Sequence, residues 1–232
     1  MNNKKITLTT SKLKREKKMK KIVKIALLVI LLILLILYLV IGIIYNNENF
    51  SITLDRNLYY DKGLIIYDDP DYKVYRSELY AKSPETFDNI SYKWLPLDIN
   101  ESNGGSHNGS NYLAYTFFVE NKGIDVADYY SELVIDDVVK KVDEAVRIRV
   151  YKNGEEKTYA KISARNTAEE NTVPFLEERL IALDHVADFK PGDIDKYTIV
   201  LWVEGSDPEC NDNILGGEIK ISMNFNSEYV EN

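Results

Sequence analysis

A chain of 232 residues that is 45% hydrophobic and holds 17 tyrosines can bury a sizeable core, which excludes a disordered stalk. Its net charge of -8 conceals a basic tail and a strongly acidic remainder, and an acidic body repels phosphate backbones, which excludes nucleic acid as its partner. Cys210 is the single cysteine, so no intrachain disulfide forms and the fold must hold by packing.

Residues 1–24 form the basic tail. Lys4, Lys5, Lys12, Lys14, Arg15, Lys17, Lys18, Lys20, Lys21 and Lys24 stand there against Glu16 alone, a charge of about +9 that leaves the remainder near -17. Residues 25–45, IALLVILLILLILYLVIGIIY, carry no charge. As a helix they rise about 30 Å, the thickness of a bilayer's hydrocarbon core, so a single transmembrane helix is predicted. A secretory signal peptide is the competing reading, but its apolar region runs only about 7–15 residues and ends at a small-residue cleavage site. This run is longer and closes on Gly42-Ile43-Ile44-Tyr45-Asn46-Asn47 without an Ala-x-Ala pattern. An uncleaved signal anchor is therefore expected in the plasma membrane. The positive-inside rule puts the N-terminus in the cytoplasm and the C-terminal domain outside. The lysines also suit an anionic leaflet, each worth about 1 kcal/mol near its surface. A disulfide-free exterior domain rich in Lys, Asn and Ile points to a Gram-positive bacterium.

Residues 46–111 form a Tyr-rich N-terminal part of the exterior domain. Phe50 to Leu54 alternates at period two as a strand does, and Leu64 to Tyr67 is a short apolar run ended by Asp68-Asp69-Pro70-Asp71. A strand is expected at Ser91–Leu95, with Trp94 as a core anchor. Glu101 to Asn111, ESNGGSHNGSN, has the composition of a flexible loop, and His107 within it is expected to face solvent.

Residues 112–226 form a C-terminal β-sandwich part, followed by a tail at 227–232. Leu113, Tyr115, Phe117 and Val119 fall on one face of a strand whose other face is also partly apolar. Such a strand meets the core on one side and a neighbouring element on the other. Val138, Val139, Val142 and Ala145 recur at three- and four-residue spacing, which predicts a short amphipathic helix over Asp136–Ala145. Val146 to Tyr151 and Lys157 to Ser163 flank Asn153-Gly154, a strong hairpin signal because both residues tolerate positive φ. Leu180–Val186, Tyr197–Glu204 and Gly217–Phe225 alternate as further strands, with a turn at Lys190-Pro191-Gly192-Asp193. The expected fold is mainly β: one transmembrane helix followed by an antiparallel β-sandwich or jelly roll.

The stretch Phe189-Lys190-Pro191-Gly192 to Tyr197-Thr198, then Leu201-Trp202-Val203-Glu204-Gly205-Ser206-Asp207-Pro208-Glu209-Cys210 and Ile214-Leu215-Gly216-Gly217-Glu218-Ile219-Lys220, resembles bacterial surface proteins related to camelysin and the TasA biofilm fibre protein. Tyr112 to Gly123 resembles that family's strand leading into an Asn-x-Gly turn. The likeness covers Tyr112 to Phe225. It implies a jelly-roll domain on Gram-positive cells or in their extracellular matrix. Camelysin is described as a metallopeptidase, yet His-Glu-x-x-His is absent and the two histidines, His107 and His185, cannot supply a three-His zinc site.

The acidic loop after Trp202 is the candidate site. Glu204, Asp207 and Asp212 are the expected ligands if the chain binds calcium; the plainer reading is a loop that turns at Asp207-Pro208 and holds no cofactor, because calcium takes about six to eight oxygens. Cys210 is expected to be a small buried residue rather than a nucleophile, since no histidine lies in the same stretch. No catalytic motif is present, so the expected function is non-enzymatic: a single-pass membrane protein binding a cell-surface or matrix partner. A camelysin-like, metal-dependent surface peptidase is the alternative.

Overall fold

A computed structural model describes residues 10–46, 50–84 and 86–229. The first part of the basic tail, the segment 47–49 and residues 230–232 lie outside the described residues. The chain divides into two units, residues 1–47 and 48–232.

The first unit is one helix, α1 (Thr10–Asn46). The helix is longer than the apolar run because Lys14 to Lys24 continue it, and these are good helix formers that solvate their charges. Its most apolar 18-residue stretch, within Lys14–Gly42, has a mean hydropathy of 3.4 with none of it buried. The consecutive residues Leu27, Leu28, Val29 and Ile30, which point in successive directions about 100° apart, are 63%, 68%, 47% and 55% exposed, so the apolar surface is bare on every side and not on a single stripe.

The second unit is mainly β. In chain order it holds β1 (Phe50–Leu54), a short helix α2 (Arg56–Tyr60), β2 (Leu64–Tyr67), β3 (Glu78–Ala81), β4 (Gly105–Ser106), β5 (Tyr112–Asn121), β6 (Ala127–Val139), β7 (Val146–Lys152), β8 (Glu155–Ala160), β9 (Val173–Pro174), β10 (Leu180–Phe189), β11 (Ile194–Val203) and β12 (Glu218–Asn226). One sheet runs β10-β6-β12-β1-β3 and the other β2-β5-β11-β7-β8-β9, with β4 added beside β5. Inward side chains of both sheets, including Phe50, Ile52, Tyr129 and Phe225 from the first and Phe117, Ile148, Tyr197 and Ile199 from the second, meet in one core. Strands from the Tyr-rich part therefore complete both sheets.

Most pairings are antiparallel, as the alternation predicts, but β1 lies parallel to β12 and β8 parallel to β9. The Asn153-Gly154 hairpin forms with φ of 52° and 89° at the two turn residues, which suits the right-handed twist of the flanking strands.

Three expectations are corrected. Asp136–Ala145 is not a helix: β6 runs to Val139, and only Val142–Glu144 form a single 3-10 turn. The strand carries a bulge at Asp136, since Lys220 pairs with Asp137 and Ile221 with Ile135, and it ends where Lys140 and Lys141 take φ of 56° and 55°. Val139 closes the strand while the buried Val142 and Ala145 belong to the turn after it, and a strand end followed by that turn acquires helical spacing. Ser91–Leu95 is likewise not a strand. Ser91 Oγ caps a 3-10 turn at Tyr92–Trp94, and Trp94 is 76% exposed rather than anchoring the core. The stretch Glu101 to Asn111 is not a bare loop either. β4 pairs with β5, Asn108 holds Lys82 O and Ala114 N, and His107 Nε2 meets Thr116 Oγ1 at 2.9 Å.

The second apolar face of β5 and β11 has its expected neighbour. Ile90, Leu95 and Ile99, from the turns of the Tyr-rich part, pack there on Ala114, Val200, Tyr151 and Trp202.

Candidate functional site

The acidic loop lies at the end of β11, where that strand's outward face meets β7. Period-two alternation puts Arg147 and Arg149 of β7 on the same face as Trp202, and the Arg149 guanidinium lies 5.4 Å from the Trp202 ring centre. Arg149 also donates to Thr158 Oγ1 at 2.8 Å. Together with Glu169 to Thr172, from the connection between β8 and β9, these residues line a cleft of about 250 Å³.

The three expected calcium ligands do not converge there. Glu204 is spent on local structure: its Oε2 accepts from Trp202 Nε1 at 3.0 Å and from Tyr92 N at 2.9 Å, and its Oε1 from Ser206 Oγ at 2.7 Å. Burial opposes the charge, but the donors from Trp202 and Ser206 outweigh it and hold the carboxyl below its ordinary pKa. Asp212 opens a 3-10 turn, Asp212–Ile214, and is exposed. Asp207 alone points into the cluster, with its side chain fully buried.

What converges with Asp207 is a different set. Glu169, Asp207 and Glu209 bring carboxylate oxygens within 4.8 Å of one another, and these three are the side chains here that could hold a cation. A cation of the chain's own already sits among them. The Arg147 guanidinium, 5% exposed, pairs with Asp207 and reaches Glu169 Oε2 at 3.3 Å. A divalent ion bound through these oxygens would have to displace it.

The three carboxyls differ in acidity. Burial, followed by the adjoining Glu209 carboxyl, pushes Asp207 up. Burial and the Asp207 charge push Glu169 up. The hydrogen bond with Asp207, joined by Ala164 N–H, holds Glu209 down. The opposite directions belong to the interacting pair, with the more buried Asp207 the weaker acid. Glu209 Oε2 is buried without a partner.

Cys210 is half-buried and its thiol is raised by burial and then by the Asp207 charge, so the thiolate form is disfavoured. The histidines stand on different sheets. His107 adjoins β5, and its imidazole is lowered by burial and by Lys196, while His185 of β10 stacks on Tyr130 with ring centres 4.4 Å apart.

No family model and no curated protein sequence matches the chain. Among solved structures, a beta-glucosidase from Kluyveromyces marxianus in complex with glucose is 12% identical with a TM-score of 0.26, and the match covers 72% of this chain. The Se-Met labelled beta-glucosidase from the same organism is 10% identical with a TM-score of 0.24 and the same 72% coverage. The chain corresponds to only 15% and 16% of those two proteins. Likenesses this slight carry no argument about fold or function.

Sequence reasoning singled out the acidic loop with Asp207 but not Arg147 and Glu169, which the fold brings beside it. Arg147 occupies an ordinary outward position of an alternating strand, and Glu169 lies in a polar break. Neither position carries a local signal, because a fold-level contact alone brings them together.

Proposed function

We propose that this protein is a membrane-anchored, non-enzymatic β-sandwich module on the exterior of a Gram-positive cell, binding a surface or matrix protein. The observation that supports it most is α1. A helix whose most apolar 18-residue stretch is wholly unburied has no stable place in water, whereas a bilayer core about 30 Å thick accommodates it. The lysines at its N-terminal end favour a cytoplasmic tail. The resemblance to the camelysin and TasA-related surface proteins agrees with a jelly-roll body outside the cell. The long outer strand β10, at the end of its sheet, offers an edge to which a partner's strand could add.

Protease added to intact cells should digest the body while leaving a membrane-embedded N-terminal fragment that resists alkaline extraction. A body spared by protease, or a polypeptide released with a trimmed start, would end this reading. Crosslinking and pulldown of the full chain from the native surface, with and without chelator, should recover the same partner in both conditions.

The convergence of Glu169, Asp207 and Glu209 supports a second reading, the metal-dependent peptidase. Cleavage of a protein substrate by the purified chain, dependent on added zinc or calcium and lost in Asp207→Asn, would establish it over the first.

A further inference from the structure

A second cleft lies on the opposite face of β7, where the two sheets splay apart between β8 and β10. Its volume is about 390 Å³, at the small end of the roughly 300–1,000 Å³ typical of small-molecule sites, which suits a ligand of one ring. The inner end is formed by Leu133, Tyr197 and Met223, all buried, with the half-buried Tyr159 along the wall.

The rim carries both signs of charge. Lys152 and Lys157 face Glu155 and Asp184 around it, so two positive groups meet two negative ones. Lys152 Nζ lies 2.8 Å from Asp184 Oδ2 and 3.8 Å from Asp195 Oδ2. Asp184 is half-exposed, with 53% of its side chain in solvent. Glu155 and Lys157, two apart on β8, present their side chains to the same face.

This arrangement discriminates between ligand classes. An anion meets carboxylates that outnumber the ammoniums once Asp195 is counted, a cation meets Lys152 and Lys157, and either pays to desolvate beside the like-charged groups. A purely apolar molecule would leave the rim groups partly stripped of water without replacement hydrogen bonds. A neutral polyhydroxylated ring fits both parts: each hydroxyl donates to a carboxylate and accepts from an ammonium, while the ring's C–H surface covers aromatic and aliphatic side chains.

We propose that this inter-sheet cleft is a binding site for a pyranose sugar, free or at the end of a glycan. The site stands apart from the Arg147 cluster and does not depend on whether α1 crosses a membrane.

Saturation-transfer NMR on the full chain, held in a detergent without a sugar headgroup, provides the test. The probes are methyl β-glucopyranoside and N-acetylglucosamine, with sodium acetate as the charged control, each near 10 mM so that dissociation constants of about 1–10 mM are visible. Ring protons of at least one sugar should take up saturation and acetate should not. Ala182→Trp, which fills the cleft, should abolish the signal, and Asp184→Asn at the exposed rim should weaken it several-fold. Absence of signal from both sugars, a signal unchanged in Asp184→Asn, or saturation of acetate alone would overturn the proposal. If Ala182→Trp disturbs the near-ultraviolet circular dichroism, Asp184→Asn decides by itself.

Discussion

Arg147 and Lys152 stand five residues apart on β7, on opposite faces of one strand, and each cation lies between two carboxylates. Arg147 is 5% exposed against an Asp207 side chain at 0%, whereas Lys152 is 26% exposed against Asp184 at 53%. The first cluster is dry. It ties the strand to the connection carrying Glu169 and to the loop carrying Asp207 and Glu209, so its charges are committed to holding three segments together. The second remains in contact with water and can exchange partners. The same kind of ion pair therefore serves as a fixed tie on one face and as an adaptable rim on the other.

The sharpest way to break this contrast is Arg147→Met. Removing one member of a buried pair leaves the carboxylates uncompensated and should cost about 3–5 kcal/mol in chemical denaturation, while Lys152→Met at the wetter pair should cost about 0–1 kcal/mol. Equal losses would dissolve the distinction.

An intermediate effect is expected from Trp202→Phe. A six-membered aromatic ring is kept, but the indole's pyrrole ring goes and Glu204 loses the Nε1–H donor at 3.0 Å; a buried acceptor left short of a partner costs about 1–3 kcal/mol, to which the void left by the smaller ring adds. The same loss should raise the Glu204 pKa toward its ordinary value. Because the depressed carboxyl stabilises the fold above its unfolded-state pKa and loses that contribution as pH falls through the folded value, the variant should show a shallower loss of stability on acidification.

The smallest effect lies at alkaline pH. Burial works against the Lys152 ammonium, but the Tyr197 hydroxyl and the Asp184 and Asp195 carboxylates outweigh it and hold its pKa above the usual lysine value. Its contribution is complete below the unfolded-state pKa of about 10.4 and disappears as pH rises through the higher folded value, whereas a guanidinium keeps its charge. Thermal melts of wild type and Lys152→Met should therefore begin to converge as pH rises past about 10.4, while wild type and Arg147→Met keep their separation.

Legibility followed the reach of the interaction that decides each element. β5, β11 and β12 were plain from alternation, and the Asn153-Gly154 turn from two adjacent residues, because local sterics settle both. The end of β6 and the turn after it together read as a helix, since Val139, Val142 and Ala145 fall three apart although only the first is on the strand. Trp94 misled because a large aromatic ring ordinarily seeks the interior, and here a three-residue turn capped by Ser91 turns it outward. The tie at Arg147 was invisible: Arg147 and Asp207 are 60 residues apart in the chain, and nothing beside either one announces the other.

The parallel pairing of β1 with β12 has a consequence for how the body assembles. Thr53 and Asn224 share a hydrogen bond across 171 positions, so β1, between β12 and β3, gains its parallel neighbour only after the last strand is made. Loop closure over that span is slow. During synthesis the first strand waits, its apolar side chains Phe50, Ile52 and Leu54 unshielded, and a chaperone acting on the nascent polypeptide would find its substrate there.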